Sequence, residues 1–240
     1  MARLLLIFLL NFSINSGSSN YVSPQEYFGE SYDEALKYCR INQREISRYC
    51  FQFQIDPKVA SSVIFPELIR YNRFRDMMET TALELAYVSM GADVADFSIG
   101  YFQMKPSFIE KLEREIQNFP EIFSQFPEIP KYPNDFSESQ IRNERISRLK
   151  KNEWQIKYLV CFVKIATEKY SEEILTHQNE TLMILSSAYN AGLESSYENL
   201  KSISNTKTFP YGNRFTGRFS YFDVANYYYT NHSNQIFQKP

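Results

Sequence analysis

The pattern that most constrains this chain is the recurrence of apolar residues three and four positions apart over nearly its whole length. That spacing puts them on one face of a helix, whereas a half-buried strand needs strict alternation. Little interrupts it: 240 residues contain 7 Gly and 10 Pro, with no succession of short alternating segments joined by hairpin turns. An all-α fold follows, with room for at most a short β segment around Asp96 to Gln103.

Individual helices can be placed. From Ser31 to about Phe53, residues Ala35, Leu36, Cys39, Ile46 and Cys50 share a face and predict one helix. Asp56-Pro57 reads as an N-cap acid followed by proline at the first helical position, opening a helix through Val59, Ala60, Val63, Ile64, Leu68 and Ile69. Pro66 lies inside this helix, where a missing N–H and a ring clash predict a kink or a restart just before Glu67. A helix from about Asp76 to Met90 sets Met78, Ala82, Leu85 and Ala86 on one side and ends at Gly91. Another spans Pro106 to Asn118, and the four prolines between Phe119 and Phe136 predict an irregular loop. A long helix from about Ser139 to Lys169 has Ile146, Leu149, Ile156, Val160 and Val163 on its seam. The stretch Thr181 to Ala191 is apolar nearly all round, which predicts a buried central helix, and the aromatic segment Phe219 to Tyr229 reads as helical.

Composition narrows the function classes. A formal net charge of -2 offers no basis for nucleic-acid binding through counterion release. Aromatic residues make up 16% of the chain, and this density suits either an aromatic-rich core or a carbohydrate cleft in which sugars stack on ring faces. Arg3 followed by the apolar run Leu4 to Leu10 and a Ser/Gly-rich stretch resembles an export signal, so residues 1–18 are expected to be removed and the chain to be periplasmic or extracellular. That run is too short to span a bilayer, which takes about 20 apolar residues. The odd set Cys39, Cys50 and Cys161 excludes a full disulfide framework. On one continuous helix Cys39 and Cys50 would stand about 16 Å apart, beyond disulfide reach. Buried free thiols, or one bridge to Cys161, remain.

His177 and His232 fall in polar segments, no metal-ligand spacing and no Gly-rich phosphate loop occurs, and no cofactor is implied. Carboxylate chemistry is left. Glu67 lies between Ile64-Phe65 and Leu68-Ile69, and a carboxylate among such neighbours is desolvated, which raises its pKa toward that of a general acid. A Glu pointing to solvent fits the same segment.

Several stretches, in order, resemble the soluble lytic transglycosylases, which share the lysozyme-like fold with goose-type lysozymes. Asp56-Pro57 with Glu67 eleven residues after the Asp looks like their catalytic helix. Gly100-Tyr101-Phe102-Gln103 resembles their Gly-Leu-Met-Gln motif, Tyr158-Leu159 their Tyr-Leu pair, and Ala188-Tyr189-Asn190-Ala191-Gly192 matches their Ala-Tyr-Asn-Ala-Gly motif unchanged. Asp223 to Tyr228 is weakly similar to their closing segment, with Tyr227 on its tyrosine. The resemblance covers roughly Ile55 to Tyr229 and departs from the family at Leu68 (usually Ser), at Pro66, and in the longer interval from Glu67 to Gly100.

The resemblance implies a lysozyme-like domain over residues 55–230, preceded by a helical extension over 19–54 and followed by a tail over 231–240. It implies peptidoglycan glycan strands as substrate, cleaved between N-acetylmuramic acid and N-acetylglucosamine to a 1,6-anhydro product. Glu67 would be the acid and then the base, with Gly100, Gln103, Tyr189, Asn190 and Tyr227 binding or orienting the substrate. Asp93 and Asp96 are the nearest carboxylates should a water-activating base exist. A silent glycan-binding module and a hydrolytic lysozyme are the alternatives on the same fold.

Overall fold

The computed structural model describes residues 22–71, 73–210 and 217–238, with the side chains of 73–80 and 178 outside that description; the export-signal expectation for residues 1–18 also lies outside it. The described residues are helical, as the periodicity predicts. They form α1 (Pro24–Phe28), α2 (Glu30–Ile41), α3 (Gln43–Gln52), α4 (Pro57–Arg70), α5 (Arg73–Met90), α6 (Pro106–Glu115), α7 (Pro120–Gln125) and α8 (Glu138–Leu149). Then follow α9 (Asn152–Lys169), α10 (Ser171–Thr176), α11 (Thr181–Ala191), α12 (Tyr197–Ser204), α13 (Tyr221–Tyr228) and α14 (Asn234–Ile236). Among the described residues the β geometry is confined to two isolated bridges, Ile99 with Met104 and Phe209 with Phe219.

Helix α4 runs through the middle, with every residue from Ala60 to Ile69 buried and α2, α3, α9, α11 and α13 packed around it. Its start is as the sequence predicts: Asp56 is the N-cap, its side chain accepting from Lys58 N–H at 2.9 Å, and Pro57 opens the helix. The aromatic residues go mainly to the core reading. Phe65 stacks on Tyr228 at 3.9 Å between ring centroids, Tyr32 meets Phe65 edge-on, and Phe53 stacks on Phe126. Residues of the 19–54 extension (Tyr32, Cys39, Ile46, Cys50) and of the tail (Ile236, Phe237) belong to the same core as α4.

Six local expectations are corrected. The helix read from Ser31 to Phe53 is two, α2 and α3, broken at Asn42, whose backbone N–H and side-chain amide both donate to the Tyr38 carbonyl, at 3.0 and 2.9 Å. The helix read from Ser139 to Lys169 also divides, at Lys150–Lys151, and past the break the Gln155 side chain donates to the Leu149 carbonyl at 2.7 Å. The proline-rich stretch 119–136 contains the short helix α7, and the Arg148 guanidinium orders the segment after it by donating to the carbonyls of Ile129 and Lys131 at 3.1 and 2.6 Å. Pro66 does not restart α4, which continues to Arg70. Among the described side chains of α5 the seam differs: Ala82 and Leu85 are exposed, Ala86 is half-buried and Tyr87 is fully buried, while Met78 lies outside the described side chains. His232, expected in a polar loop, sits in a helical turn against the rings of Tyr32 and Tyr228.

Tyr87 is drawn inward by a buried ionic cluster. Arg145 on α8 grips Glu113 on α6 with two parallel hydrogen bonds, 3.2 Å from Nε and 2.7 Å from Nη2. Its Nη1 donates to the Tyr87 hydroxyl at 2.6 Å and to Glu110 at 3.1 Å, and Tyr132 donates to Glu113 as well. One cation thus joins α5, α6, α8 and the proline-rich segment. Removing it leaves Glu113 buried and unpaired, so Arg145→Met is expected to cost about 3–5 kcal/mol of unfolding free energy in a denaturant titration. A cost under about 1 kcal/mol would mean that the cluster is solvated and peripheral.

Candidate active site

Glu67 lies one turn before the end of α4 and is 6% exposed. Its Oε1 accepts from Arg70 Nη1 at 3.0 Å, the two residues sharing a helix face through their i,i+3 spacing. Burial pushes the Glu67 carboxyl up from the usual carboxylate range. The Arg70 guanidinium, the Tyr221 hydroxyl and, more weakly, Lys105 pull it back. The solvent-pointing alternative is thereby excluded.

The neighbours that shape this pocket come from α11 and α13. The capping box of Ser220 with Asp223 starts α13 and fixes Tyr221 at its first position. The Tyr221 hydroxyl donates to the Val63 carbonyl at 2.9 Å. Val63 is one residue past Ser62, whose carbonyl Pro66 leaves without its helical N–H partner, so Tyr221 supports α4 at the turn the proline weakens. Tyr189, buried on α11, donates to the Phe102 carbonyl at 2.9 Å. Burial first, and then the nearby Glu67 charge, push the hydroxyls of both tyrosines well above their ordinary range, so both stay protonated donors.

The Gly100–Gln103 segment is a tight turn closed by paired backbone bonds between Ile99 and Met104, at 2.9 and 3.2 Å. Gly100 has φ +70° and Gln103 has φ +49°. Glycine serves here for a reason other than cleft access: a Cβ on Gly100 would fall inside the Gln155 carboxamide. Gln155, 1% exposed, accepts from Phe102 N–H at 2.9 Å and donates to the Leu149 carbonyl at 2.7 Å. The break between α8 and α9 frees that carbonyl from helical bonding, and the motif turn is hung from it. Gln103 donates back to the Gly100 carbonyl at 2.9 Å, which leaves its side-chain oxygen to accept.

The remaining expected residues are placed less centrally. Asn190 is exposed at the end of α11. Tyr227 packs against Tyr32 and His232, so on α13 it is Tyr221 that faces Glu67. Asp96 accepts from Ser107 N–H at 3.2 Å, at the start of α6, and pairs with Lys105 at 3.5 Å; Asp93 is exposed. Three residues escaped the sequence reading: Arg70, Tyr221 and Gln155. Arg70 carried a signal in its i,i+3 spacing from Glu67, and Tyr221 in its place one residue after a capping serine; Gln155 carried none.

Among the described residues no group of His, Cys, Asp and Glu is arranged to hold a metal. The three cysteines are free and buried, and burial pushes the thiols of Cys39 and Cys50 up to about 12, so they stay protonated and unreactive. An open groove of about 1120 Å³ lies beside the end of α4, lined by Tyr38 of α2 and by Arg70, Tyr71, Tyr101 and Pro210.

Gly100→Ala combines left-handed backbone strain with displacement of Gln155, and is expected to lower unfolding free energy by about 2–4 kcal/mol. Thermal melts of the single variants and of Gly100→Ala/Gln155→Ala should show strong non-additivity, since both changes act on one contact. Additive losses would place the strain elsewhere.

Compared with protein-family models, with curated proteins and with solved structures, the chain finds no match.

Proposed function

We propose that this is an exported, lysozyme-like enzyme that cleaves peptidoglycan glycan strands by the lytic transglycosylase route. The observation that carries the reading is a buried carboxylate, Glu67, raised by burial and set against two protonated tyrosine hydroxyls beside a glutamine-bearing turn. Burial gives Glu67 the proton affinity that a general acid needs near neutral pH.

In this reading protonated Glu67 gives its proton to the glycosidic oxygen as the bond from C1 of the muramic acid breaks. The substrate's acetamido group stabilises the cationic centre, so no second protein carboxylate is required. Glu67, now ionised, takes the proton of the C6 hydroxyl, whose oxygen closes onto C1 and yields the anhydro sugar with the acid restored. The intramolecular hydroxyl has a high effective concentration and outcompetes water. Engagement of Asp96 with Lys105 and the start of α6 disfavours it as a water-activating base. Gln103, with its oxygen free to accept, serves a substrate N–H or hydroxyl.

One observation favours a second reading. An arginine 3.0 Å from Glu67 stabilises the carboxylate and opposes acid catalysis, as suits a non-cleaving glycan-binding module.

Mass spectrometry of material released from purified sacculi separates these readings. The transglycosylase reading expects muropeptides with anhydro ends, lighter than hydrolysed ones by about 18 mass units, the water that an intramolecular attack does not add. Reducing-end sugars would point to a lysozyme, and sacculus binding with nothing released to the binding module.

Glu67→Gln is expected to reduce release by about 10²- to 10⁴-fold. The same variant has a stability signature. Because the folded carboxyl is raised, its contribution to stability is fully present below the unfolded pKa and is lost as pH rises through the folded one. Melting temperature measured against pH should therefore fall more steeply for the parent than for Glu67→Gln as the medium passes from acid to neutral. Parallel curves would show that Glu67 titrates as in the unfolded chain.

A further inference from the structure

Arg70 stands where Glu67 and the groove beside α4 meet. Two of its nitrogens are committed inward: Nη1 to Glu67 Oε1 at 3.0 Å, and Nε to the Pro210 carbonyl at 2.8 Å. The ring of Phe209 lies 4.8 Å from its guanidinium carbon and fixes the plane of the fork. Among the described residues these contacts leave Nη2, and 28% of the side chain is exposed. Of the Arg70–Glu67 pair, it is Arg70 that lines the groove. The groove's other charged lining residues are Glu30, Glu34 and Lys37 on α2, with Lys37 paired to Glu34 at 3.3 Å. An anion entering the groove is repelled at that wall and attracted at Arg70.

Resting on the glycan-cleaving reading above, we propose that Arg70 recognises a carboxylate of the substrate delivered through this groove, in competition with Glu67. The chemistry of the fork requires the competition. A carboxylate binds a guanidinium with two parallel hydrogen bonds, and with Nε held by Pro210 the remaining pair is Nη1 and Nη2, of which Glu67 already uses Nη1. A ligand that takes Nη1 and Nη2 weakens the bond to Glu67. The groups facing Glu67 are then Tyr221 from α13, Tyr189 from α11 and Lys105 ahead of α6, the last a weak influence. A buried carboxylate that loses its nearest cation binds a proton more tightly. Substrate binding thereby raises the proton affinity of Glu67 beyond what burial already gives it. A neutral glycan of the same length lacks the group that releases it. On muropeptides the carboxylate is either the lactyl group of muramic acid or one on the attached peptide.

Calorimetric titration of the full chain tests this with ligands that contain no bond for the enzyme to cut. The probes are N-acetylglucosaminyl-N-acetylmuramic acid, which carries the lactyl carboxylate, its peptide-linked form, and neutral chitobiose. At least one acidic probe should bind about ten- to a hundredfold more tightly than chitobiose, the range for a charge-assisted hydrogen-bonded pair. If the peptide-linked form keeps the preference, the peptide supplies the carboxylate; if only the unlinked disaccharide shows it, the lactyl group does. Arg70→Gln should abolish the preference, Arg70→Lys should keep part of it, and Glu67→Gln should widen it by removing the competitor. Repeating the titration in buffers of different ionisation enthalpy should show proton uptake on binding the preferred acid, absent in Glu67→Gln. The proposal is overturned by equal affinity for acidic and neutral probes, by a preference that survives Arg70→Gln, or by binding without proton uptake. Where Arg70→Gln does not fold, Arg70→Lys and Glu67→Gln decide. If none of the probes binds, the glycan reading falls with it; if all bind equally, this proposal falls alone.

Discussion

A helix buried on all sides cannot carry a carboxylate without rearranging what surrounds it, and that constraint organises this molecule. Glu67 lies in a run from Ala60 to Ile69 that is buried throughout. Transfer of an ionised group into such surroundings is costly unless charge and hydrogen bonds are supplied. Arg70 supplies both from the same helix, and its own position depends on the Pro210 carbonyl and the Phe209 ring. Tyr221 comes from the far end of the chain, 158 residues after the Val63 carbonyl it bonds. The buried carboxylate of the central helix thus reaches across α4, α13 and the segment between α12 and α13.

A second set of bonds carries the same organisation to the opposite wall. Tyr189 ties α11 to Phe102, Gln155 ties Phe102 to Leu149, and Leu149 is available because α8 stops there. The turn 100–103 therefore has its backbone N–H and C=O at Phe102 bound by two different buried side chains. Such satisfied networks hold a backbone more firmly than apolar contact alone, because each bond lost strands a buried partner. The glutamine that the turn presents, Gln103, is oriented by a bond to Gly100 within that fixed frame.

Which parts of this were legible in the sequence follows from how local each cause is. The N-cap at Asp56, the Gly91 and Gly192 stops and the buried helix Thr181–Ala191 depend on neighbours within a few residues, and all were readable. The breaks at Asn42 and Lys150 were not, because apolar periodicity runs on across them; the Tyr38 carbonyl bonded by Asn42 and the Leu149 carbonyl bonded by Gln155 are facts of side-chain placement. Leu85 was assigned inward by hydropathy, and lost to Tyr87 because Arg145 and Glu110 offer the tyrosine hydroxyl buried partners. Glu67 and Tyr189 are legible as motif members, whereas the weak similarity at the chain's end points to Tyr227 and leaves Tyr221 unseen, because it fixes no register. A helix face resolves what the motif could not, since residues six apart on α13 point in directions about 120° different per turn geometry.

Pro66 shows how such non-local causes reverse a local rule. Proline inside a helix removes one backbone bond and crowds the carbonyl four residues earlier, a cost of about 3 kcal/mol in isolation. Read locally, it ends or bends α4 before Glu67. In the folded chain the serines at 61 and 62 turn their hydroxyls onto the Lys58 carbonyl, at 3.1 and 2.6 Å, and Tyr221 reaches the Val63 carbonyl from outside. The helix continues to Arg70, and only because it does are Glu67 and Arg70 on one face. The residue that looks most hostile to this helix lies within one turn of the carbonyl that an outside hydroxyl reaches. Continuity of the helix puts Glu67 and Arg70 on one face, and Tyr221 meets the same stretch of α4 from outside.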